Sequence, residues 1–259
     1  MVEKIKILDL FSGIGGFSLG MHRASERFET IAFAECDKFC QKVLKKNFPN
    51  IKIYDDVKDV QKIDCDLITA GFPCPAFSAS GKRGGFEQDD LFYEVIRIAK
   101  INKPQIIILE NVSGFAHKTR NWRSVLTNEL KNIGYETQDF IFDARDFGVP
   151  QCRRRYFAIC VQGRMLFSSQ HLQRLQGKQG KNIQQVFSNN QNAQRRWTPT
   201  INTKEEWRAI FSQSFRRRNS NGISDRVDRL TSLGNAVVPK IITAIGKTII
   251  KWQEKRLTT

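Results

Sequence analysis

Ile5-Lys6-Ile7-Leu8-Asp9-Leu10-Phe11-Ser12-Gly13-Ile14-Gly15-Gly16-Phe17 is the stretch whose reading decides the fold. Residues 5–11 have the apolar content of a buried strand, the glycines mark a tight turn, and a helix-like stretch runs on to about Arg27. A strand, a glycine turn and a helix let backbone groups approach a ligand closely. The spacing is G-x-G-G, not the dinucleotide G-x-G-x-x-G, and no lysine follows as in a phosphate loop. Alone, the turn is a weak signal for an adenosine-containing ligand.

The same alternation continues along the chain. A strand over Thr30–Ala34 ends in Glu35-Cys36-Asp37, where an acid can accept hydrogen bonds from both hydroxyls of a ribose. Capping the next helix is the competing role, and Asp37 suits it better than Glu35. That helix runs to about Asn47, and a short strand at Ile51–Tyr54 ends in Asp55-Asp56-Val57. One of these aspartates can receive an adenine amino group; capping a short helix is an equally good local reading.

A strand over Asp66–Ala70 delivers Gly71-Phe72-Pro73-Cys74-Pro75-Ala76-Phe77-Ser78. Neither proline flanking Cys74 can donate a backbone hydrogen bond, and Pro75 biases Cys74 towards an extended backbone. The segment reads as a stiff loop holding a thiol at a fixed angle, with a small buried hydrophobe as the competing reading of the cysteine. The loop continues through Ser80, Lys82 and Arg83, a glycine-, serine- and cation-rich run able to grip a phosphate backbone.

After a helix over Leu91–Ile101, Gln105–Leu109 reads as a central parallel strand ending in Glu110-Asn111-Val112. An acid at the carboxyl end of a buried strand, beside another carrying a cysteine, is where open α/β sheets place chemistry. A helix near Trp122–Ile133 and strands at Tyr135–Phe142 and Tyr156–Val161 follow. Between those strands lies Gln151-Cys152-Arg153-Arg154-Arg155, in which strand alternation sends Arg153 and Arg155 to one side.

Composition shifts at Gln162. Between Val161 and Thr231 there are 13 Lys and Arg against 4 Asp and Glu, which is nine of the chain's sixteen excess positive charges. Arg195, Arg196, Arg216, Arg217 and Arg218 lie there beside Trp197, Trp207, Phe211 and Phe215. Cations interleaved with aromatics suit DNA contact, against a merely solvated basic loop. Asn235–Arg256 forms an amphipathic helix with Val238, Ile241, Ile242, Ile245, Ile249 and Trp252 on one face, expected to dock on the main sheet.

The totals agree with this outline. The 259 residues suffice for one large domain with a small appendage, and a net charge of +16 with a pI near 9.8 favours a polyanionic partner. No apolar run approaches the roughly 20 residues of a membrane span, and the N-terminus has no signal-peptide profile. Six cysteines without an export signal suit a reducing compartment. None has C-x2-C spacing, and Cys36 and Cys40, placed i and i+4 on a helix, read as packing, so no metal is expected.

Together these residues resemble the DNA (cytosine-5)-methyltransferase family, of bacterial or prophage type. The matches run in the family's order: Asp9 to Gly16, Glu35, Asp56, Pro73-Cys74, Glu110-Asn111-Val112, Gln151-x-Arg153-x-Arg155, and Gly234-Asn235-Ala236-Val237-Val238-Pro239. The resemblance implies a doubly wound, mostly parallel seven-stranded α/β sheet of the S-adenosylmethionine-dependent methyltransferase type. Its parts would be a catalytic and cofactor domain over 1–161, a short target-recognition region over 162–231, and a packing helix over 232–259. It also implies S-adenosylmethionine bound by Phe11, Ser12, Gly13, Ile14, Gly16, Glu35, Cys36, Asp56, Val57, Pro73, Leu91, Asn235 and Ala236, leaving S-adenosylhomocysteine as product. Phe11 would lie against the adenine, Glu35 on the ribose and Asp56 on the adenine amino group.

In the implied chemistry Cys74 is the nucleophile, Glu110 handles the proton at ring N3, Arg155 holds the O2 edge, and Arg153 supports the catalytic loop and its phosphates. Ser78, Ser80, Lys82, Arg83 and the five arginines of the middle region would contact double-stranded DNA. The protein would be monomeric and cytoplasmic, in a bacterial cell or phage-infected host, with a cognate restriction endonuclease as an allowed partner. Two departures stand out: Cys36 where relatives often carry an aromatic, and Pro75 where glutamine is common. The Arg229-Leu230-Thr231 run also abuts the final motif instead of lying well upstream. Dedicated RNA enzymes of this chemistry pair a Pro-Cys with a Thr-Cys, which this chain lacks; a tRNA-directed relative of the DNA family is the other reading.

Overall fold

Strand β1 (Ile5–Leu10) is almost wholly buried because parallel neighbours flank it on both sides: β2 (Phe28–Ala34) on one edge and β4 (Leu67–Ala70) on the other. The chain is described here from a computed structural model covering residues 3–73, 91–116, 121–149, 152–163, 232 and 235–257. Its strands form one seven-stranded sheet in the order β3-β2-β1-β4-β5-β7-β6, with β3 at Lys52–Tyr54, β5 at Ile106–Val112, β6 at Tyr135–Asp143 and β7 at Arg154–Gln162. All neighbours pair in parallel except β7, which is antiparallel to both β5 and β6. The expected mostly parallel α/β sheet is present.

Alternation along the strands feeds two cores. Ile107 and Leu109 of β5 join one, against α3 (Leu91–Asn102) and α4 (Trp122–Asn132); Ile106 and Ile108 join the other, against α1 (Gly16–Ala24) and α5 (Pro239–Leu257). Covering both faces explains why β1, β4 and β5 read as continuous apolar runs.

Helices α1 and α5 approach so closely that their glycines matter. A Cβ on Gly20 would stand 2.5 Å from Cβ of Ile242, and one on Gly246 would stand 2.7 Å from Cβ of Ala24. Thr243 adds a hydrogen bond from Oγ1 to the Gly20 carbonyl at 3.0 Å.

Two local expectations are corrected. The final long helix begins at Pro239, not Asn235, with Ala236–Val238 outside regular structure. Proline fixes its own φ for a first helical turn and pushes the preceding residue out of the helical region. Cys36 does not share a helix with Cys40, because α2 (Lys38–Asn47) starts after Asp37, whose Oδ1 accepts from the Cys40 amide at 2.8 Å. Cys36 is exposed, while Cys40 is buried with its sulfur 3.4 Å from the Ser232 hydroxyl. Among the described residues no helix is long and apolar enough to cross a membrane, and no group of three or more His, Cys, Asp or Glu could hold a metal.

Candidate active site

The turn after β1 is held in a conformation that few side chains tolerate. Phe11 has φ of 52°, in the left-handed region that costs a non-glycine residue about 1–2 kcal/mol, and Gly13 and Gly15 follow at 54° and 85°. The surroundings enforce it. The Ser12 amide donates to the Ala34 carbonyl at 3.1 Å, its hydroxyl to the Asp9 carbonyl at 2.6 Å, and the Gly15 amide to the Ser12 carbonyl at 2.9 Å. Ser12 is thus buried and turned inward, shaping the turn, while Ile14 stays half-buried. A Cβ on Gly13 would meet nothing within 4 Å, so open space lies beside its backbone. Gly16 is the opposite case: a Cβ there would stand 2.8 Å from the Val237 carbonyl oxygen.

Glu35, at the end of β2, closes this turn. Its Oε2 accepts from the Gly13 amide at 2.6 Å and its Oε1 from the Asp37 amide at 2.8 Å. Each carboxylate oxygen has a second lone pair, so the group can still accept from hydroxyls. Asp56 caps the 3-10 turn Val57–Asp59, accepting from the Lys58 amide at 2.9 Å, and Val57 is buried behind it. Burial, then the negative charges of Glu35, Asp37 and Asp56, raise the Cys36 thiol above its usual range, placing these four side chains in one electrostatic neighbourhood. Leu91 is half-buried at the start of α3, Pro73 exposed at the end of β4, Asn235 exposed and Ala236 half-buried. Carboxylates at two depths beside an open backbone turn fit the hydroxyls and amino group of an adenosyl ligand.

The second cluster lies at the end of β5. A Cβ on Gly71, just past β4, would stand 3.6 Å from Oε2 of Glu110 and 4.0 Å from the Phe11 carbonyl oxygen, so this carboxylate adjoins the glycine turn. Glu110 is 7% exposed. Its Oε1 lies 3.1 Å from Nε of Arg155, yet no hydrogen bond reaches that oxygen: the pair is electrostatic, without donor geometry. Burial pushes the Glu110 pKa up to about 7, against the opposing pull of Arg155 and Arg153.

Arg153 lies close enough to Glu110 for its charge to act on that carboxyl. It is buried, and its Nη2 donates to the Ala236 carbonyl at 2.7 Å, which ties the strand-end cations to the segment before α5. Lys240 adds a second tie, Nζ to the Gly148 carbonyl at 3.0 Å. Sequence reasoning gave no role to Asn111, whose Nδ2 donates to the Phe72 carbonyl at 3.0 Å and so anchors the chain where it leaves β4. The signal was a second polar residue on a strand otherwise buried and apolar. Nor did it assign Asp9, wholly buried in β1, whose oxygens accept from Ser18 at 2.7 Å and Thr69 at 2.8 Å. Burial raises its pKa to about 7.

Cys74, Ser78, Ser80, Lys82, Arg83, Arg195, Arg196, Arg216, Arg217 and Arg218 lie outside the described residues. Among the described candidates, Gly13 and Glu35 meet at the turn after β1, Cys36 and Asp56 lie in the same electrostatic neighbourhood, and Glu110, Arg153 and Arg155 gather at the end of β5.

Comparison with known proteins bears on this arrangement. The model of the family "C-5 cytosine-specific DNA methylase" matches residues 5–224. Type II methyltransferase M1.ScrFI of Lactococcus lactis subsp. cremoris is 40% identical over 164 residues, covering 60% of this chain and 41% of its own length. Type II methyltransferase M.HhaI of Haemophilus parahaemolyticus is 37% identical over 164 residues, 61% of this chain and 49% of its own. The chain thus spans about half or less of the length of these curated relatives. Among solved structures, a mutant DNMT2 of Spodoptera frugiperda superposes with a TM-score of 0.53 at 26% identity, over 63% of this chain and 52% of that one. The S. pombe Dnmt2 methyltransferase superposes with a TM-score of 0.66 over 96% of this chain and 99% of that one; at 15% identity it supports the fold alone.

Proposed function

Because the chain belongs to the C-5 cytosine-specific DNA methylase family, we propose that it is a DNA (cytosine-5)-methyltransferase acting on a cytosine flipped out of duplex DNA. Supporting this most directly is the buried Glu110 carboxyl, with a pKa of about 7 and one oxygen without a hydrogen-bond donor, set among arginines at a strand end beside the glycine turn.

The adenosyl part of S-adenosylmethionine is held by the turn Phe11–Gly16, with Glu35 on the ribose hydroxyls and Asp56 on the adenine amino group. Pro73, Leu91, Asn235 and Ala236 close the pocket. When bound, this cofactor supplies an electrophilic methyl group. Cytosine C5 is a poor nucleophile, so the Cys74 thiolate adds at C6 and turns C5 into an enamine carbon. Glu110 delivers or shares a proton at N3, relieving the charge that this addition places on the ring. Arg155 holds the O2 edge, and its charge beside Glu110 opposes the burial that favours the neutral acid. Once C5 carries the methyl group it is tetrahedral, and loss of its remaining proton returns electrons to the ring and expels the Cys74 thiolate. Chemistry on that face of the base requires it to leave the stack. Residues 162–231 form the target-recognition region, with their arginines, Ser78, Ser80, Lys82 and Arg83 on the DNA backbone and grooves.

The test is transfer of a labelled methyl group from S-adenosylmethionine to duplex DNA, run beside bulk tRNA. Cys74→Ala should abolish transfer to DNA while DNA binding survives. A covalent adduct between Cys74→Ala and 5-fluorocytosine DNA would refute the nucleophile, and transfer to tRNA alone would refute the substrate.

A further inference from the structure

Arg97 lies on α3, faces no candidate reacting group, and makes an unusual set of bonds. Its Nη1 donates to the Val60 carbonyl at 3.0 Å, and its Nη2 to the Val57 and Lys58 carbonyls, both at 3.3 Å. Its Nε donates to Glu94 Oε2 at 2.7 Å, one helical turn away, which fixes the plane of the guanidinium. Three backbone carbonyls of a single short segment thus converge on one side chain. The segment is the 3-10 turn Val57–Asp59 and its exit, the same turn that Asp56 caps.

A turn this short has little of its own to hold it in place. It contains two backbone hydrogen bonds, Asp59 to Asp56 at 3.1 Å and Val60 to Val57 at 3.2 Å. The Lys58 and Val60 carbonyls take outside donors, and the Val57 carbonyl takes one in addition to its bond within the turn. α3 supplies them through Arg97 and holds the segment again further on, where Asn102 Oδ1 accepts from the Ile63 amide at 2.6 Å. The guanidinium is a planar fork with five donors, and here it holds three carbonyls and the Glu94 carboxylate at once, four acceptors against the three donors of an ammonium.

We propose that Arg97 is a specificity-determining positioning residue, which fixes the turn bearing Asp56 and Val57 so that it reads the amino edge of the cofactor's adenine. This rests on the cofactor assignment above. A carboxylate distinguishes adenine from hypoxanthine only if it stands within hydrogen-bonding range of the 6-position. There an amino group donates to it, whereas a carbonyl oxygen repels it. A turn free to drift by an ångström keeps the pocket but loses the discrimination.

The experiment measures binding of S-adenosylhomocysteine and S-inosylhomocysteine by calorimetry to the full chain and to Arg97→Ala, Arg97→Lys and Glu94→Gln. One hydrogen bond to a charged group corresponds to a preference of roughly 10- to 100-fold for the adenosyl ligand in the unaltered protein. The preference should fall to a few-fold in Arg97→Ala and to an intermediate value in Arg97→Lys and Glu94→Gln, with kcat at saturating cofactor unchanged. If Arg97→Ala does not fold, the other two variants carry the test. Equal weakening of both ligands, with the preference intact, would assign Arg97 to general stability and overturn the inference. So would an unaltered protein that binds both ligands alike. Failure of the unaltered protein to bind S-adenosylhomocysteine at all would instead remove the cofactor assignment.

Discussion

At the end of β2 the Glu35 carboxylate accepts one backbone amide on each oxygen, from Gly13 and Asp37. At the end of β5 the Glu110 carboxylate is buried, has an oxygen with no hydrogen bond, and sits beside Arg155 in an ion pair lacking donor geometry. Both acids terminate parallel strands of one sheet, yet the first is completed by the chain and the second is not. Fixed backbone donors make the Glu35 corner a rigid receptor, held in place before a ligand arrives. The Glu110 corner keeps a poorly satisfied carboxyl of pKa about 7, which is what a group needs if it is to exchange a proton with a substrate near neutrality.

The largest expected effect comes from breaking the second corner. Glu110→Gln should lower kcat by about 100-fold or more, within the range of general acid–base catalysis, while leaving cofactor affinity unchanged. The sign of its pH dependence follows from burial. A folded-state pKa of about 7, against an ordinary glutamate value of 4.5, means that the stability associated with the protonated acid is fully present below pH 4.5 and lost as the pH rises to about 7. Thermal melts should therefore show Glu110→Gln gaining on the parent protein between pH 5 and pH 8, and kcat/KM of the parent should decline above about pH 7. Parallel melting curves at both pH values would put the carboxyl in solvent and dissolve the contrast.

A smaller effect is expected from the anchor between the two corners. Asn111→Ala leaves the buried Phe72 carbonyl without its donor, a loss of about 1–3 kcal/mol. Because Phe72 precedes Pro73 and Cys74, that loss should appear as roughly a 10-fold drop in single-turnover methyl transfer, with S-adenosylhomocysteine binding retained. Equal losses in binding and turnover would show that the two corners share the anchor.

The first corner should respond in the converse way. Gly13→Ala places a methyl group in open space at a φ of 54°, costing about 1–2 kcal/mol in backbone strain. A several-fold rise in the KM for cofactor with kcat unchanged is the expected outcome, measured at saturating DNA. A fall in kcat alone would mean that the turn serves the base and not the cofactor.

Much of this contrast was legible in the amino-acid sequence, and the limits were physical. β5 announced itself because a strand covered on both faces must be continuously apolar, and Glu110 stood out as the residue that breaks the run. Asp37 could be preferred as the helix cap over Glu35 because capping is local. What the sequence could not convey was long-range and directional. Nothing in Arg153 signals a bond to the Ala236 carbonyl, 83 positions away, and its neighbours in a run of three arginines suggest solvent or phosphate. Arg97 reads as an ordinary solvated cation on a helix until its three carbonyl partners, about 40 residues earlier, are placed beside it. The insertion of β7 between β5 and β6 was hidden too, since hydrophobic alternation says which residues face a core but not which strand lies next.

The close crossing of α1 and α5 carries a consequence for synthesis. Thr243 and the Gly20 carbonyl it binds are 223 residues apart, which a ribosome adding about 5–20 residues per second covers in roughly 10–45 s. Through that interval α1 has emerged with Phe17 and Met21 but without the α5 residues that share their core. The Val237 carbonyl that abuts Gly16 does not yet exist. The face of α1 is therefore completed only once translation has passed α5, and a nascent chain stalled earlier should leave Phe17 and Met21 uncovered.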